Sequence, residues 1–420
     1  MVAETGRGSQ ANLRLNNEVK DRKHGRCPGE ISGAFIFLIF AAKIYRMIYR
    51  VIGTMSGSSL DGLDIVFAEI EETRGNWSFK IINSECSEYD HEWKSKLQNA
   101  IHLNAKEYVL LHTSYGRYTG EKINEFIEKH SLQHKVQLIG NHGHTTFHIP
   151  EQNTTAQIGD GASIAALTGI NTVTDLRSMD VALGGQGAPL VPVGEKLLFP
   201  GYDFYLNIGG ITNISFLGKK ENEPGSHYAF DICPANRVLN MLAQTAGKEY
   251  DDKGEMAASG NINDELLAKL NALDYYQQLY PKSLANDFGT DIIFPLIQSF
   301  NLNVNDALRT YTEHIAIQLH HSIKNVFDSG VNKNESDVCR MMVTGGGAFN
   351  TFLISRIQDI LQPLHTEIIL PDEEIIKYKE ALIMALLAVL RWREENTAMH
   401  TLTGAVRSSI GGAVWIGQEA

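Results

Sequence analysis

Val51-Ile52-Gly53-Thr54-Met55-Ser56-Gly57-Ser58-Ser59-Leu60-Asp61-Gly62-Leu63-Asp64-Ile65-Val66 decides how this chain is read. An apolar run empties into a loop of glycine and hydroxyl residues, the loop closes on Asp61-Gly62, and β-type residues resume. Small residues let backbone N–H groups and hydroxyls approach an anionic oxygen, and the carboxylates of Asp61 and Asp64 can hold a metal or a water beside it. The stretch is therefore expected to be a phosphate-gripping hairpin, with Gly53, Thr54, Ser56, Gly57, Ser58, Asp61 and Gly62 as its contacts. A P-loop would need Gly-Lys-Ser/Thr and a following helix, and neither is present. Taken alone, the stretch also fits a tight turn.

Working outward, the pattern predicts strands over 50–53, 63–71 and 77–87, helices over 92–102 and 105–129, and a buried strand over 136–140. A short helix over 162–168 and a strand over 171–175 follow. After a Gly/Pro-rich crossing at 184–200 the order restarts, with strands over 204–208, 214–217 and 227–231, then helices, then strands over 339–343 and 367–370. The second half thus repeats the first. An α/β fold is expected, with lobes at 47–200 and 201–420 and a ligand cleft between them. Residues 1–46 differ: a polar, Arg/Lys-rich head precedes the apolar patch 34–42, which is too short to span a bilayer and is followed by no small-residue cleavage site before Lys43. They read as a disordered extension or a misassigned start upstream of Met47.

Composition narrows the partner. With 420 residues, 43% hydrophobic and 20% charged, the chain can bury a core in each lobe. A formal charge of −12 without a concentrated basic stripe argues against nucleic acid or an anionic membrane and favours a small polar ligand. Cys27, Cys86, Cys233 and Cys339 show no CxxC spacing, so neither a zinc site nor a disulfide framework is indicated, and the cytoplasm is the expected compartment.

Two more loops match the first. Asn207-Ile208-Gly209-Gly210-Ile211-Thr212-Asn213 is a strand, small-residue turn and strand at the corresponding place in the second half, with Gly209, Gly210 and Thr212 as expected phosphate contacts. Thr344-Gly345-Gly346-Gly347-Ala348-Phe349-Asn350 leaves a strand and opens a helix, where glycines allow close approach of a flat or anionic group. A nucleotide held in this way implies phosphoryl transfer, in which the protein chiefly positions and neutralises charge. The segment Asp175-Leu176-Arg177-Ser178-Met179-Asp180, followed by Gly184-Gly185-Gln186-Gly187, lies in the crossing, and Asp180 is the expected general base. A turn-capping role for Asp175 or Asp180 is the alternative. Asn141-His142-Gly143-His144-Thr145-Thr146-Phe147-His148 is expected at the carboxyl end of a buried strand, where ligands bind. Its spacing also allows a zinc reading through His142, His144 and His148 with Asp160 or Asp175. Glu380 falls on the apolar stripe of a helix over 376–390, where a carboxylate needs a partner or a polar ligand.

Taken together, these segments closely resemble the anhydro-N-acetylmuramic acid kinase family of the sugar kinase, Hsp70 and actin superfamily, from Met47 to the C-terminus. The resemblance rests on residues 53–64, 142–150, 157–160, 175–192, 207–215, 281–283, 344–350, 380–381 and 403–405. It implies two duplicated ribonuclease H-like lobes of the actin-like ATPase/sugar kinase fold. It also implies ATP with Mg2+ as cofactors, and a reaction that opens the 1,6-anhydro bridge of anhydro-N-acetylmuramic acid and phosphorylates O6. By the same resemblance Asp180 activates water, His142, Thr145, Asp160 and Glu380 hold the sugar, and Gly345, Gly346, Gly347 and Asn350 flank the nucleotide. A cytoplasmic homodimer without nucleic-acid partner or stable membrane association is implied. A kinase for another amino sugar and a non-catalytic sugar sensor remain open. The chain departs from the family pattern at His144, where Gln is usual, in the loop 231–236, and at Leu284-Ala285.

Overall fold

In the computed structural model of the chain the described residues are 46–57, 59–218, 227–280, 282–284, 287–330 and 338–418. The expectations placed on residues 1–45, Ser58, Pro281 and Ala285 lie outside them.

Two sheets repeat one plan. In the first, β1 (Arg46–Ser56), β2 (Gly62–Thr73) and β3 (Asn76–Glu88) form an antiparallel meander, and β4 (Leu138–Ile149) and β6 (Thr172–Thr174) add in parallel on the free side of β1. β5 (Thr154–Ile158) doubles back on β4. In the second, β7 (Phe204–Ile208), β8 (Ile211–Leu217) and β9 (His227–Pro234) form the meander, and β10 (Cys339–Thr344) and β11 (Thr366–Ile369) add in parallel beside β7. The strand orders are β12-β6-β4-β1-β2-β3 and β11-β10-β7-β8-β9, where β12 is Ala413–Trp415. Without β5 and β12 the two orders coincide, so the duplicated α/β architecture is present.

The meanders arise from alternation. In β3 exposed and partly buried positions alternate along most of the strand, the signature of a sheet with one wet face. The helix Ala105–Lys129 begins where expected because Asn104 accepts from Glu107 N while the Glu107 side chain returns to Asn104 N. One expectation fails. The strand expected over 136–140 does not end there, because β4 continues through the polar run to Ile149 and folds into a hairpin with β5. His142 and His144 are buried, with His144 opposite both Ser56 and Ile158, while His148 further along the strand is exposed.

The helix Glu373–Trp392 joins the sheets. Every residue from Ala381 to Leu390 is buried and apolar, so this stretch of the helix is apolar all round, as a segment enclosed on several sides must be. It lies on β1, β2 and β4 and also touches β10 of the second sheet, and its core includes Tyr205 and Met342. Contact this close needs missing side chains beneath it. A Cβ at Gly53 would stand 1.9 Å from Ala381 O, and one at Gly140 would stand 2.3 Å from Met384 O. Gly53 is therefore buried under the helix, which accounts for its lack of a side chain without a phosphate. Gly53→Ala is expected to destabilise the fold by about 3 kcal/mol through overpacking, read as a lower urea midpoint at unchanged slope.

The expected division at residue 200 needs a correction. The chain leaves the first sheet, builds the second, and then comes back: the helix Glu373–Trp392 packs on the first sheet and β12 pairs antiparallel with β6. The physical reason is burial, since the apolar face over β1, β2 and β4 is covered only by that late helix and its neighbours. No helix among the described residues is long and apolar enough to cross a membrane.

Candidate active site

The β1–β2 hairpin commits most of its side chains internally. Thr54 is fully buried and its hydroxyl donates to Asn141 Oδ1 at 2.8 Å. Ser56 Oγ accepts from the Tyr89 hydroxyl at 2.8 Å and lies 3.0 Å from His144 Nδ1, while the Tyr89 and Tyr115 hydroxyls are 2.5 Å apart. Tyr115 donates to Tyr89 and Tyr89 to Ser56, and with Ser56 donating in turn to His144 Nδ1 every hydroxyl in the chain has an acceptor. The imidazole then carries its proton on Nε2. Burial pushes the His144 pKa down to about 4, so it stays neutral at physiological pH. What remains for a ligand is the turn itself, where Gly57 is partly buried and Asp61 exposed; Gly62 already pairs with Glu88 of β3.

Beside the hairpin sits a second group. Arg177 Nε donates to His142 Nε2 at 3.0 Å, and His142 Nδ1 donates to Gly143 O at 2.9 Å. That pattern requires a neutral imidazole, and burial together with the Arg177 charge brings the His142 pKa down to about 3. Burial lowers Arg177 to about 10, with Glu380 acting in the opposite sense. Glu380 in turn is raised, chiefly by burial, against the pull of Lys379 and Arg177. It makes no hydrogen bond to a described residue. The zinc reading does not survive this geometry, because both nitrogens of His142 are engaged and a guanidinium stands where a metal would have to be.

Asp64 extends the group towards the turn. Its pKa is pushed up to about 6, mainly by burial; a hydrogen bond with Cys86 pulls it down, and the charges of Glu380 and Asp61 push it further up. Below pH of about 4 the carboxyl is protonated in folded and unfolded chains alike, and between about 4 and 6 only the unfolded chain ionises. Stability therefore falls as pH rises through that window. Asp64→Asn is expected to unfold at higher urea than the parent above pH of about 6, with the gain vanishing below about 4.

Asp180 lies in the short helix Ser178–Ala182 just after β6 and is fully buried. Thr403 Oγ1 donates to its Oδ1 at 2.7 Å and Gly187 N to its Oδ2 at 2.8 Å. Backbone bonds from Gln186 N to Thr403 O and from Val406 N to Leu183 O lace the crossing to the 403–406 segment. The carboxylate is thus fixed in orientation, and each oxygen keeps a further lone pair.

In the second sheet the glycine loops meet. Gly209 O accepts from Asn236 N at 3.1 Å and Gly210 O from Ala235 N at 2.8 Å, which clamps the β7–β8 turn to the start of the helix Asn236–Gln244. Gly345 has φ +83°, and a Cβ there would stand 2.6 Å from Asn207 Oδ1 and 2.7 Å from Ile208 O, so the loop 345–347 seats directly on the end of β7. Gly210 is exposed and two glycine loops meet beside it; the N–H groups that open the helix are already bound to the turn's carbonyls, so it is the small-residue backbone of the loops that suits a polyphosphate.

Other expected contacts have structural duties. Asp160 caps the helix Gly161–Thr168, accepting from Ser163 N at 3.0 Å and Ser163 Oγ at 2.6 Å. Asn350 caps Thr351–Leu361 through Leu353 N at 2.9 Å. Thr212 is buried in β8 opposite Cys233. Thr145 Oγ1 is 3.5 Å from Gln157 Nε2, the limit of a hydrogen bond. The helix Glu373–Trp392 links both groups: Lys377 Nζ lies 5.7 Å from the Phe349 ring centroid beside the third loop, and Glu380 faces Arg177 one turn later. Between them Lys379 forms a buried ion pair with Glu195 at 2.6 Å, and Ser215 of β8 donates to the same carboxylate at 2.5 Å. The sequence reading missed Arg177, Lys379 and Glu195. Arg177 stood in the quoted crossing, three residues before the expected base, and that proximity was the available signal.

Residues 49–417 match the family described as Anhydro-N-acetylmuramic acid kinase. The chain belongs to that family. The anhydro-N-acetylmuramic acid kinase of Coxiella burnetii is 33% identical over 389 residues, covering 88% of this chain and 98% of that one. Those of Sulfurimonas denitrificans and Vibrio parahaemolyticus are 32% and 31% identical, covering 87% and 85% of this chain and 98% and 95% of theirs. As a member of the anhydro-N-acetylmuramic acid kinase family the chain is an ATP-using phosphotransferase. The matched span begins in β1 and ends just past β12, so it contains both sheets and both groups of site residues.

Proposed function

We propose that this kinase adds water across the 1,6-anhydro bridge of anhydro-N-acetylmuramic acid and transfers the γ-phosphoryl group of ATP to the released O6, yielding N-acetylmuramic acid 6-phosphate and ADP in cell-wall recycling. The observation that carries the reading is Asp180, a buried carboxylate held by two donors in the crossing between the duplicated halves. It takes a proton from the water that attacks the anomeric carbon. As the C1–O6 bond breaks, O6 gains electron density and captures the phosphoryl group, so ring opening and transfer share one turnover. Arg177 and Glu380 present a cation and an acceptor to the sugar, with neutral His142 holding the guanidinium in place. The β7–β8 turn, the loop 345–347 and the turn around Gly57 cradle the nucleotide.

Asp61 and Asp64 fit Mg2+, a hard cation that uses one or two carboxylates and completes its shell with water and phosphate oxygens. The raised Asp64 carboxyl, crowded by Asp61 and Glu380, is a site whose repulsion a cation relieves. When bound, Mg2+ neutralises charge on the transferred phosphoryl group. The same reading includes a homodimer working in the cytoplasm. A coupled ADP-release assay with purified anhydro sugar tests it. ADP should form only when the sugar, ATP and Mg2+ are all present. ATP hydrolysis indifferent to sugar would overturn the reading, and sugar binding without any ADP would make the protein a sensor.

A further inference from the structure

The second residue of the helix Asn236–Gln244 is a cation at the end of the helix where a cation is least welcome. Helix N-termini carry the positive end of the macrodipole and favour acids, yet this first turn holds no acidic residue and does hold Arg237. Arg237 Nε is shut off from solvent without a hydrogen-bond partner, and no described carboxylate pairs with the guanidinium. A buried N–H without an acceptor is unfavourable, so both features count against the fold as it stands. An anion bound at this point would relieve both at once.

The position of the side chain says where that anion lies. Arg237 N donates to Gly210 O at 3.4 Å, and a Cβ placed on Gly210 would be 3.9 Å from Arg237 Nε. The guanidinium stem therefore runs along the β7–β8 turn, which is exposed at Gly210. On the same rim Thr344, the last residue of β10, is 1% exposed and its hydroxyl has no partner. It pairs in the ladder with Asn207, two residues before the turn. A guanidinium with no partner among the described residues and an orphan buried hydroxyl beside an exposed glycine turn have one chemistry in common, the binding of a phosphate oxygen.

We propose that Arg237 is a ligand of the nucleotide polyphosphate, closing over the β7–β8 turn and donating to a phosphate oxygen of bound ATP. The inference rests on the ATP-dependent reading above and adds to it a residue that sequence position alone does not single out. Arg237 acts by binding; proton transfer stays with Asp180.

Titration calorimetry on the full chain tests it, with ATP, ADP, inorganic tripolyphosphate and adenosine as probes and with the Arg237→Met and Arg237→Lys variants. Arg237→Met should bind ATP, ADP and tripolyphosphate roughly 10- to 100-fold more weakly, the scale of one charge-assisted hydrogen-bonded contact. Adenosine affinity should be unchanged, which also shows that the variant is folded. Arg237→Lys should recover part of the loss. In turnover assays the KM for ATP should rise and that for sugar should not. Unchanged ATP affinity in Arg237→Met, or an equal loss of ATP and adenosine affinity, overturns the proposal. Failure of the parent protein itself to bind ATP overturns the kinase reading and this inference with it.

Discussion

Asp180→Asn is expected to lower turnover by roughly 10²- to 10⁴-fold while leaving the fold and ATP binding intact. The substitution keeps the shape of the side chain. Its carbonyl oxygen can still accept from Gly187 N, and its amide can donate to the Thr403 hydroxyl, which retains lone pairs. The Thr403 proton can turn to Met399 O, 3.4 Å away, while the second amide N–H gains no acceptor, so the unfolding midpoint should fall only modestly. What disappears is the ability to take a proton from attacking water. Coupled ADP release measures the loss, and calorimetry with ATP controls for binding. Thr403→Val is a useful companion, because it keeps the carboxylate and removes one of the two bonds that orient it, and a smaller fall in turnover should follow. Wild-type turnover in Asp180→Asn would remove Asp180 from the chemistry altogether.

The largest expected effect on stability comes from Lys379→Met. Lys379 and Glu195 are 4% and 5% exposed and 2.6 Å apart, and Ser215 supplies a further donor to Glu195. Removing the ammonium leaves a carboxylate buried with only that hydroxyl, and breaking such a pair destabilises by about 3–5 kcal/mol. Urea unfolding of Lys379→Met, Glu195→Gln and the double variant should show strong coupling, with the double variant recovering much of the single loss. A single variant losing under about 1 kcal/mol would mean that the pair behaves as a solvent-exposed one. Activity should suffer as well, because the three residues come from the helix that carries Glu380, the helix after the Asp180 crossing, and the strand that leaves the β7–β8 turn.

The fold was readable where periodicity and local chemistry agreed. The meanders announced themselves through alternation, and the helix Ala105–Lys129 through Asn104 and Glu107. Where polar residues occupy buried strand positions, periodicity misleads: the strand was expected to end at residue 140, yet it runs on to Ile149, with Ser56, Arg177 and Gly143 O satisfying the imidazoles of His142 and His144. Glycine was ambiguous for a different reason. Gly209, Gly210 and the loop 345–347 gather at one place, whereas the same residue type at 53 makes room for a helix more than three hundred residues later in the chain. Asp160 and Asn350 look like ligand contacts in sequence and act as caps, because a short acceptor directly before a helical run serves either purpose. Arg177 and Lys379 escaped notice because their partners lie 35 and 184 residues away, beyond any local pattern.

The late return of the chain to its first sheet sets an order of events at the ribosome. Strands β7 to β11 and the helices between them are all synthesised before Glu373–Trp392 emerges, so the second half can close its core while the first still waits for a cover. Until then the apolar surface over Val51, Val66, Ala68 and Ile70 stays open. A nascent chain stalled just short of residue 373 would therefore expose a greasy face that chaperones should hold, and release should come only with the final few dozen residues.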